Sequence, residues 1–331
     1  MILPRDKGAE LRLRLPATSA NLGPGFDAAA VALDCYLEIE AKPAGEFSIV
    51  ATGRDAVRCS RMDDNLILGT YRDLLESHNR PVLPLAIAMV NDIPLGMGLG
   101  SSAAGRLAGI ALANHFGELG WSSDRVLAEA SALEGHPDNA AACWLGGFVM
   151  AAVESAAPGD RSTPPAWKGA AVHVARVIPP ADWRAIVVIP QEPLATSKAR
   201  AALPDRYSRS DVVANIQSAG LLGLAFAQGR ADLLRIAMTD HIHQPYRAPF
   251  CPLLDLILPL AAGNGVPLHG TPPHGILGAA LSGAGPAVLV ITANEDSIEL
   301  ASTAIRAALA GGPPAELLPC RFEARGASSP V

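Results

Sequence analysis

The chain has 331 residues, of which 50% are apolar, 18% charged and 5% aromatic. Such a composition supports one large core or two ordinary ones and excludes wholesale disorder. Lys and Arg number 26 against 32 Asp and Glu, a net charge of −6 with no basic run, so nucleic acid and anionic membrane have no electrostatic footing.

Residues 10–15 alternate apolar and charged side chains, the period of a half-buried strand. A turn-rich segment is expected over 16–27, a strand over 31–40 and a shorter one over 47–52 that stops at Gly53. Residues 65–79 carry apolar side chains at helical spacing, and 85–90 read as a buried strand. A glycine-rich loop follows at 94–100, then helices over 101–116 and 124–133 and a strand over 147–153. Between 154 and 168 the composition shifts to Ala, Pro, Gly, Ser and Asp, which marks a linker. Beyond it come strands at 170–177 and 184–189 and helices at 211–227, 231–239 and 252–262. Strands at 278–282 and 287–292, a helix at 297–309 and a strand at 317–323 close the chain. Two α/β domains result, divided at 1–165 and 166–331.

The cysteines (Cys35, Cys59, Cys143, Cys251, Cys320) are odd in number and lack any CxxC pair, so they read as buried thiols of a reducing compartment. The first ten residues carry charge at once and offer no apolar core for a secretion signal. The longest uncharged stretch, 256–294, is broken by Pro259, Pro267, Pro272, Pro273 and Pro286, which a membrane helix would not tolerate. A cytoplasmic protein is expected.

The loop Pro94-Leu95-Gly96-Met97-Gly98-Leu99-Gly100-Ser101-Ser102-Ala103 joins a strand to a helix. Its glycines let the backbone approach a ligand, and the N–H groups opening the helix favour an anion. It lacks the Gly-Lys-Ser/Thr of a Walker A loop, and no acidic residue closes a second strand as a dinucleotide fold requires. Taken alone, it also fits a glycine turn capped by a serine.

Three further segments bear on that choice: Pro16-Ala17-Thr18-Ser19-Ala20-Asn21-Leu22-Gly23-Pro24-Gly25-Phe26-Asp27, Glu134-Gly135-His136-Pro137-Asp138-Asn139 and Leu281-Ser282-Gly283-Ala284-Gly285-Pro286. In this order and spacing they resemble the homoserine kinases, a family of the GHMP small-molecule kinases. The first is the most specific; the phosphate loop and the last are common to the superfamily. The resemblance implies a two-domain α+β fold with a left-handed βαβ unit in the N-terminal domain and a ferredoxin-like C-terminal domain. It also implies an active site between the domains, ATP and Mg²⁺ as cofactors, and L-homoserine as substrate, phosphorylated to O-phospho-L-homoserine in threonine biosynthesis. Relatives are often homodimers.

The same resemblance distributes roles. Asn65, Pro94, Gly96, Gly98, Leu99, Gly100, Ser101, Ser102 and Ala103 would bind ATP. Ser102 and Glu134 would hold Mg²⁺, a hard ion satisfied by a hydroxyl and a carboxylate. Arg200 and Arg247 would fork onto the substrate carboxylate, with Thr196 adding a hydroxyl contact. Asp27 would face the ammonium, and Asn21 and a neutral, accepting His136 the hydroxyl. Asn139 would lie beside the transferring phosphoryl group, with Asp138 structural instead of a general base. Two other readings stay open: a kinase for another small alcohol, and a catalytically silent sensor. The joint presence of Ser102, Glu134, Asp27 and Asn139 argues against the sensor. Ala140 departs from the valine of many relatives, and 263–275 is unusually rich in Pro and Gly.

Overall fold

A computed structural model describes residues 10–154, 170–262 and 274–327. Most of the expected linker, the expected division at 165/166 and most of 263–275 lie outside the described residues. The strands are β1 (Leu11–Asn21), β2 (Gly25–Pro43), β3 (Ser48–Gly53), β4 (Leu85–Asn91), β5 (Phe148–Val153), β6 (Val172–Val177), β7 (Arg184–Pro190), β8 (Ile276–Leu281), β9 (Val288–Thr292) and β10 (Ala315–Arg321). The helices are α1 (Ala56–Cys59), α2 (Leu66–Ser77), α3 (Ser101–Phe116), α4 (Ser123–Glu134), α5 (Asp138–Leu145), α6 (Thr196–Ala201), α7 (Arg209–Gln228), α8 (Ala231–Ala237), α9 (Gln244–Arg247), α10 (Leu254–Ala262) and α11 (Ser297–Ala308).

The N-terminal sheet runs β3-β4-β2-β5-β6, with β1 paired to β2. Leu11, Leu13 and Leu15 point into the core while Arg12 and Arg14 face out, as their alternation requires. β3 and β4 are parallel and are joined through α1 and α2, a βαβ crossover. The other pairings of this sheet are antiparallel. α3 is rich in Ala and Leu and buries Ala104, Leu107, Ala108, Ile110, Ala111 and Leu112 in the same core. β6 lies beyond the expected division yet pairs with β5, so the two sheets part between Val177 and Arg184.

The C-terminal sheet has the order β10-β7-β9-β8, antiparallel throughout. With α7 and α8 before β8 and α11 before β10, this is the ferredoxin-like βαββαβ arrangement. β7 is buried on both faces: Ala185, Val187 and Ile189 join the main core, while Ile186 and Val188 face a second core with α10 and α11. That explains its unbroken apolar run, where period-2 alternation is lost. After β10 the chain returns to the N-terminal sheet, where Glu323 N donates to Ala32 O at 2.9 Å and Gly147 N to Glu323 O at 2.7 Å.

Candidate active site

A cavity of about 570 Å³ is lined from both halves of the chain and gathers Asn21, Asp27, Ser102, Glu134, His136, Asn139, Thr196, Arg200 and Arg247. Along one side Gly96, Gly98, Leu99, Gly100 and Ser101 contribute. Pro94 and Ala103, also expected there, are buried and do not line it.

The loop between β4 and α3 adopts left-handed backbone at Gly98 (φ +82°) and Gly100 (φ +70°). A Cβ at Gly98 would strike the Ser282 carbonyl oxygen, and one at Gly100 the Thr18 hydroxyl. Both positions therefore require glycine for fit as well as for torsion. Gly100 is the N-cap of α3, and no side chain caps the helix. That disposes of the serine-capped turn: Ser101 is already helical, and the first-turn N–H groups are left for an anion.

Asn65 opens a helix and also borders the cavity. Its Oδ1 caps α2 by accepting from Ile67 N and Leu68 N at 3.1 and 3.2 Å, and its Nδ2 donates to Cys59 O and Arg61 O. The amide is spent on local structure even though the residue borders the cavity. Around it Leu66, Ile67, Met89, Ile93 and Leu95 provide an apolar wall suited to a flat base.

Ser102 Oγ donates to Glu134 Oε1 at 2.7 Å, joining the first turn of α3 to the end of α4. A hydroxyl and a carboxylate oxygen this close, beside an anion site, are the donor set Mg²⁺ takes, so the residues fit that ion. Arg106 Nε also lies 2.6 Å from Glu134 Oε1.

Asp138 Oδ1 accepts from His136 Nδ1 at 2.6 Å and from Asn139 N at 2.6 Å. Burial alone would lower the His136 pKa, but the charge and hydrogen bond of Asp138, with Asp27 and Glu134 near, push it up to about 9. That shift favours the imidazolium, a donor, over the neutral acceptor expected from the sequence. Asn139 Oδ1 accepts from Thr18 Oγ1 at 2.6 Å, and Thr18 N donates to Leu99 O, which ties the phosphate loop to this cluster.

The expected carboxylate and ammonium partners are paired with each other. Arg200 forks onto Asp27, Nη1 to Oδ2 at 3.0 Å and Nη2 to Oδ1 at 2.8 Å. Burial opposes it, but the bonds and charge of Asp27 hold the Arg200 guanidinium above its ordinary pKa. Asn21 is committed as well: its Oδ1 accepts from Asp27 N at 3.0 Å and its Nδ2 donates to Gly283 O at 2.8 Å. It shapes the turn that presents Asp27, and what it has left for a substrate hydroxyl is one N–H and one Oδ1 lone pair.

Arg247 is only 1% exposed. Its Nε donates to Ala199 O at 3.3 Å and its Nη1 to Gly283 O at 3.2 Å. Nη1 also stands 3.2 Å from His243 Nδ1, while His243 Nε2 is 2.8 Å from Gly23 O. A carbonyl must accept, so Nε2 carries the proton and Nδ1 receives the Arg247 hydrogen. Burial, and Arg247 itself, lower the His243 pKa, which keeps the ring neutral for that task. Phe26 stacks on His243 with centroids 5.3 Å apart and lies under both guanidinium groups, 5.2 Å from Arg247 and 5.7 Å from Arg200. Phe26, His243 and Arg106 were not singled out from the sequence. The i, i+4 spacing of Ser102 and Arg106 in an expected helix was a readable signal; that of His243 and Arg247 was not, since α9 has only 4 residues.

Comparison with known proteins places the chain in a family. The family described as GHMP kinases N terminal domain matches residues 65–147, and GHMP kinases C terminal matches 224–311. A homoserine kinase of Solibacter usitatus is 40% identical over 316 residues, covering 95% of each chain. One from Schizosaccharomyces pombe is 34% identical over 319 residues, 89% of this chain and 92% of that one. The crystal structure of homoserine kinase from Cytophaga hutchinsonii superposes with a TM-score of 0.75 over 98% of this chain and 99% of that one, at 23% identity, a likeness of fold. Likeness of this extent, in sequence and in fold, settles the lineage: the chain belongs to the GHMP kinases and, within them, to the homoserine kinase family.

Proposed function

We propose that the protein transfers the γ-phosphoryl group of ATP to the hydroxyl of L-homoserine, giving O-phospho-L-homoserine for threonine synthesis in the cytoplasm. The observation that carries this reading is the half-buried Asp27–Arg200 pair beside Arg247, in the cavity that also holds the uncapped start of α3. An α-amino acid brings the matching pair of charges. Its carboxylate can take the place of Asp27 on Arg200, and its ammonium that of Arg200 on Asp27, with no change in net charge. Arg247 then adds its Nη2, the terminal nitrogen with no hydrogen-bond partner among the described residues.

On the donor side the first-turn N–H groups of α3 cradle phosphate oxygens. Mg²⁺ held by Ser102 and Glu134 would supply neutralisation of phosphate charge there. His136 has given Nδ1 to Asp138, so Nε2–H is the proton it offers to the cavity. It donates to an oxygen of the substrate hydroxyl or of the phosphoryl group; it does not remove the hydroxyl proton. Asp138 is engaged by His136 and by Asn139 N and supports them as a structural group. For a loose transition state, alignment and charge neutralisation are what the site has to provide. No helix among the described residues is long and apolar enough to cross a membrane.

ADP release with Mg·ATP and a panel of homoserine, threonine, mevalonate and galactose tests the proposal. Saturable turnover on homoserine alone is expected. Turnover on mevalonate or galactose instead, or amino-acid binding without turnover, would overturn it.

A further inference from the structure

Arg106 sits one turn after Ser102 on α3, so the two side chains share the helix face that lines the cavity. Its Nε lies 2.6 Å from Glu134 Oε1, the same oxygen that accepts the Ser102 hydroxyl at 2.7 Å. That Nε is buried, yet its N–H is aimed at no acceptor. The contact is therefore an attraction of charges without a directed hydrogen bond, unlike the two-pronged grip of Arg200 on Asp27. The Glu134 side chain is only 8% exposed. A carboxylate so covered is costly to leave charged without a cation against it.

We propose that Arg106 is a displaceable counter-ion, which neutralises Glu134 in the metal-free protein and competes with the divalent ion for Glu134 Oε1. The inference rests on Ser102 and Glu134 being the metal's ligands. Magnesium bonds oxygen at about 2.0–2.1 Å. A guanidinium nitrogen already in contact with the same oxygen would face that ion as a like charge at short range. One of the two has to leave, and the undirected contact of Arg106 makes it the one that moves. The freed guanidinium stays beside the first turn of α3, where an incoming phosphate offers it a new partner. Metal and nucleotide then bind with positive coupling, and the metal alone binds weakly.

Mn²⁺, followed by the electron paramagnetic resonance signal of the free ion, is the probe, with full-length protein in the presence and absence of ADP. Wild type, Arg106→Leu, Arg106→Gln, Glu134→Gln and the Arg106→Leu/Glu134→Gln double variant are compared. Removing the guanidinium is expected to tighten Mn²⁺ binding to the nucleotide-free protein by about tenfold, the scale of a partly buried ion pair, and to shrink the gain conferred by ADP. Glu134→Gln should abolish Mn²⁺ binding with or without Arg106. Unchanged or weaker Mn²⁺ binding in whichever Arg106 variant melts within a few degrees of wild type overturns the competition while leaving the metal site standing. Mn²⁺ binding that ignores Glu134→Gln overturns both.

Discussion

Arg247 is the largest fully buried side chain described, and its charge is kept in place by three acceptors: Ala199 O, Gly283 O and His243 Nδ1. Burial, followed by the nearby charge of Arg200, presses its pKa below the ordinary arginine value, so an anion arriving at Nη2 meets an under-compensated cation. Arg247→Ala is expected to cost roughly 2–5 kcal/mol in kcat/KM for homoserine, mostly through KM, since a buried charge partner is removed. Steady-state kinetics check this, and unchanged values would take Arg247 out of the site. His136 makes a second prediction at this scale. Its folded pKa of about 9 lies above the ordinary 6.5, so its stabilisation is complete below about 6.5 and lost as pH rises through about 9. His136→Gln should therefore destabilise the protein by on the order of 3 kcal/mol at pH 6 and by little at pH 10, as urea titrations at both values would register. The residue types at these positions were legible in the sequence, and every one of Asn21, Asp27, His136, Arg200 and Arg247 does line one cavity. Their pairings were not. Which carboxylate an arginine meets depends on contacts 173 residues apart, as between Asp27 and Arg200, and no local pattern encodes that.

The elements repeat this division. Long periodic segments are where expected: α3 spans 101–116 as anticipated, and the expected helix at 124–133 is α4, Ser123–Glu134. α1, α6 and α9 have only 4 to 6 residues, too few turns for a period to show, and α5 follows the Pro137 turn with a run of alanines that carries no period. The Gly, Pro and Asn content of 16–27 predicts a turn, but β1 continues through it to Asn21 and β2 starts at Gly25. The reversal is compressed into Asn21, Leu22 and Gly23, all with positive φ, which is how Asn21 and Asp27 come to face each other. At the phosphate loop, Gly98→Ala forces a side chain into left-handed backbone and against the Ser282 carbonyl. A loss of about 1–3 kcal/mol in stability is expected, with a raised KM for ATP. Thermal unfolding and ATP titration together check it; a variant normal in both would mean that the turn has slack.

Across the whole molecule, the two sheets are joined by aromatic packing. Phe226 of α7 stacks flat on Phe148 of β5 with centroids 4.1 Å apart, and Trp183 and Phe322 meet it edge-on at 5.4 and 6.3 Å. These residues come from both halves and belong to one core or pack against it. Phe226→Ala is expected to cost about 3–5 kcal/mol, read as a lower midpoint in guanidinium unfolding followed by tryptophan fluorescence. An unshifted midpoint would mean that the sheets hold together without it. Two α/β units could be inferred from the sequence, but not that β6 crosses to the first sheet or that residues after β10 return to it. Strand partners across such separations are chosen by the assembled core, not by the strand's own composition.

The turn at Ser282 and Gly283 reaches both ends of the cavity. Ser282 Oγ donates to Gly98 O at 2.8 Å, and Gly283 O receives Asn21 Nδ2 and Arg247 Nη1. Two neighbouring residues thus gauge how far the glycine loop stands from Asn21 and Arg247. A chimera that exchanged the first 177 residues with those of a distant cousin would inherit a sound loop and a sound arginine pocket set to different spacings. Recombination within this lineage has to carry that turn, the glycine loop and the His243–Arg247 stretch together, or the two ends of the cavity lose their spacing.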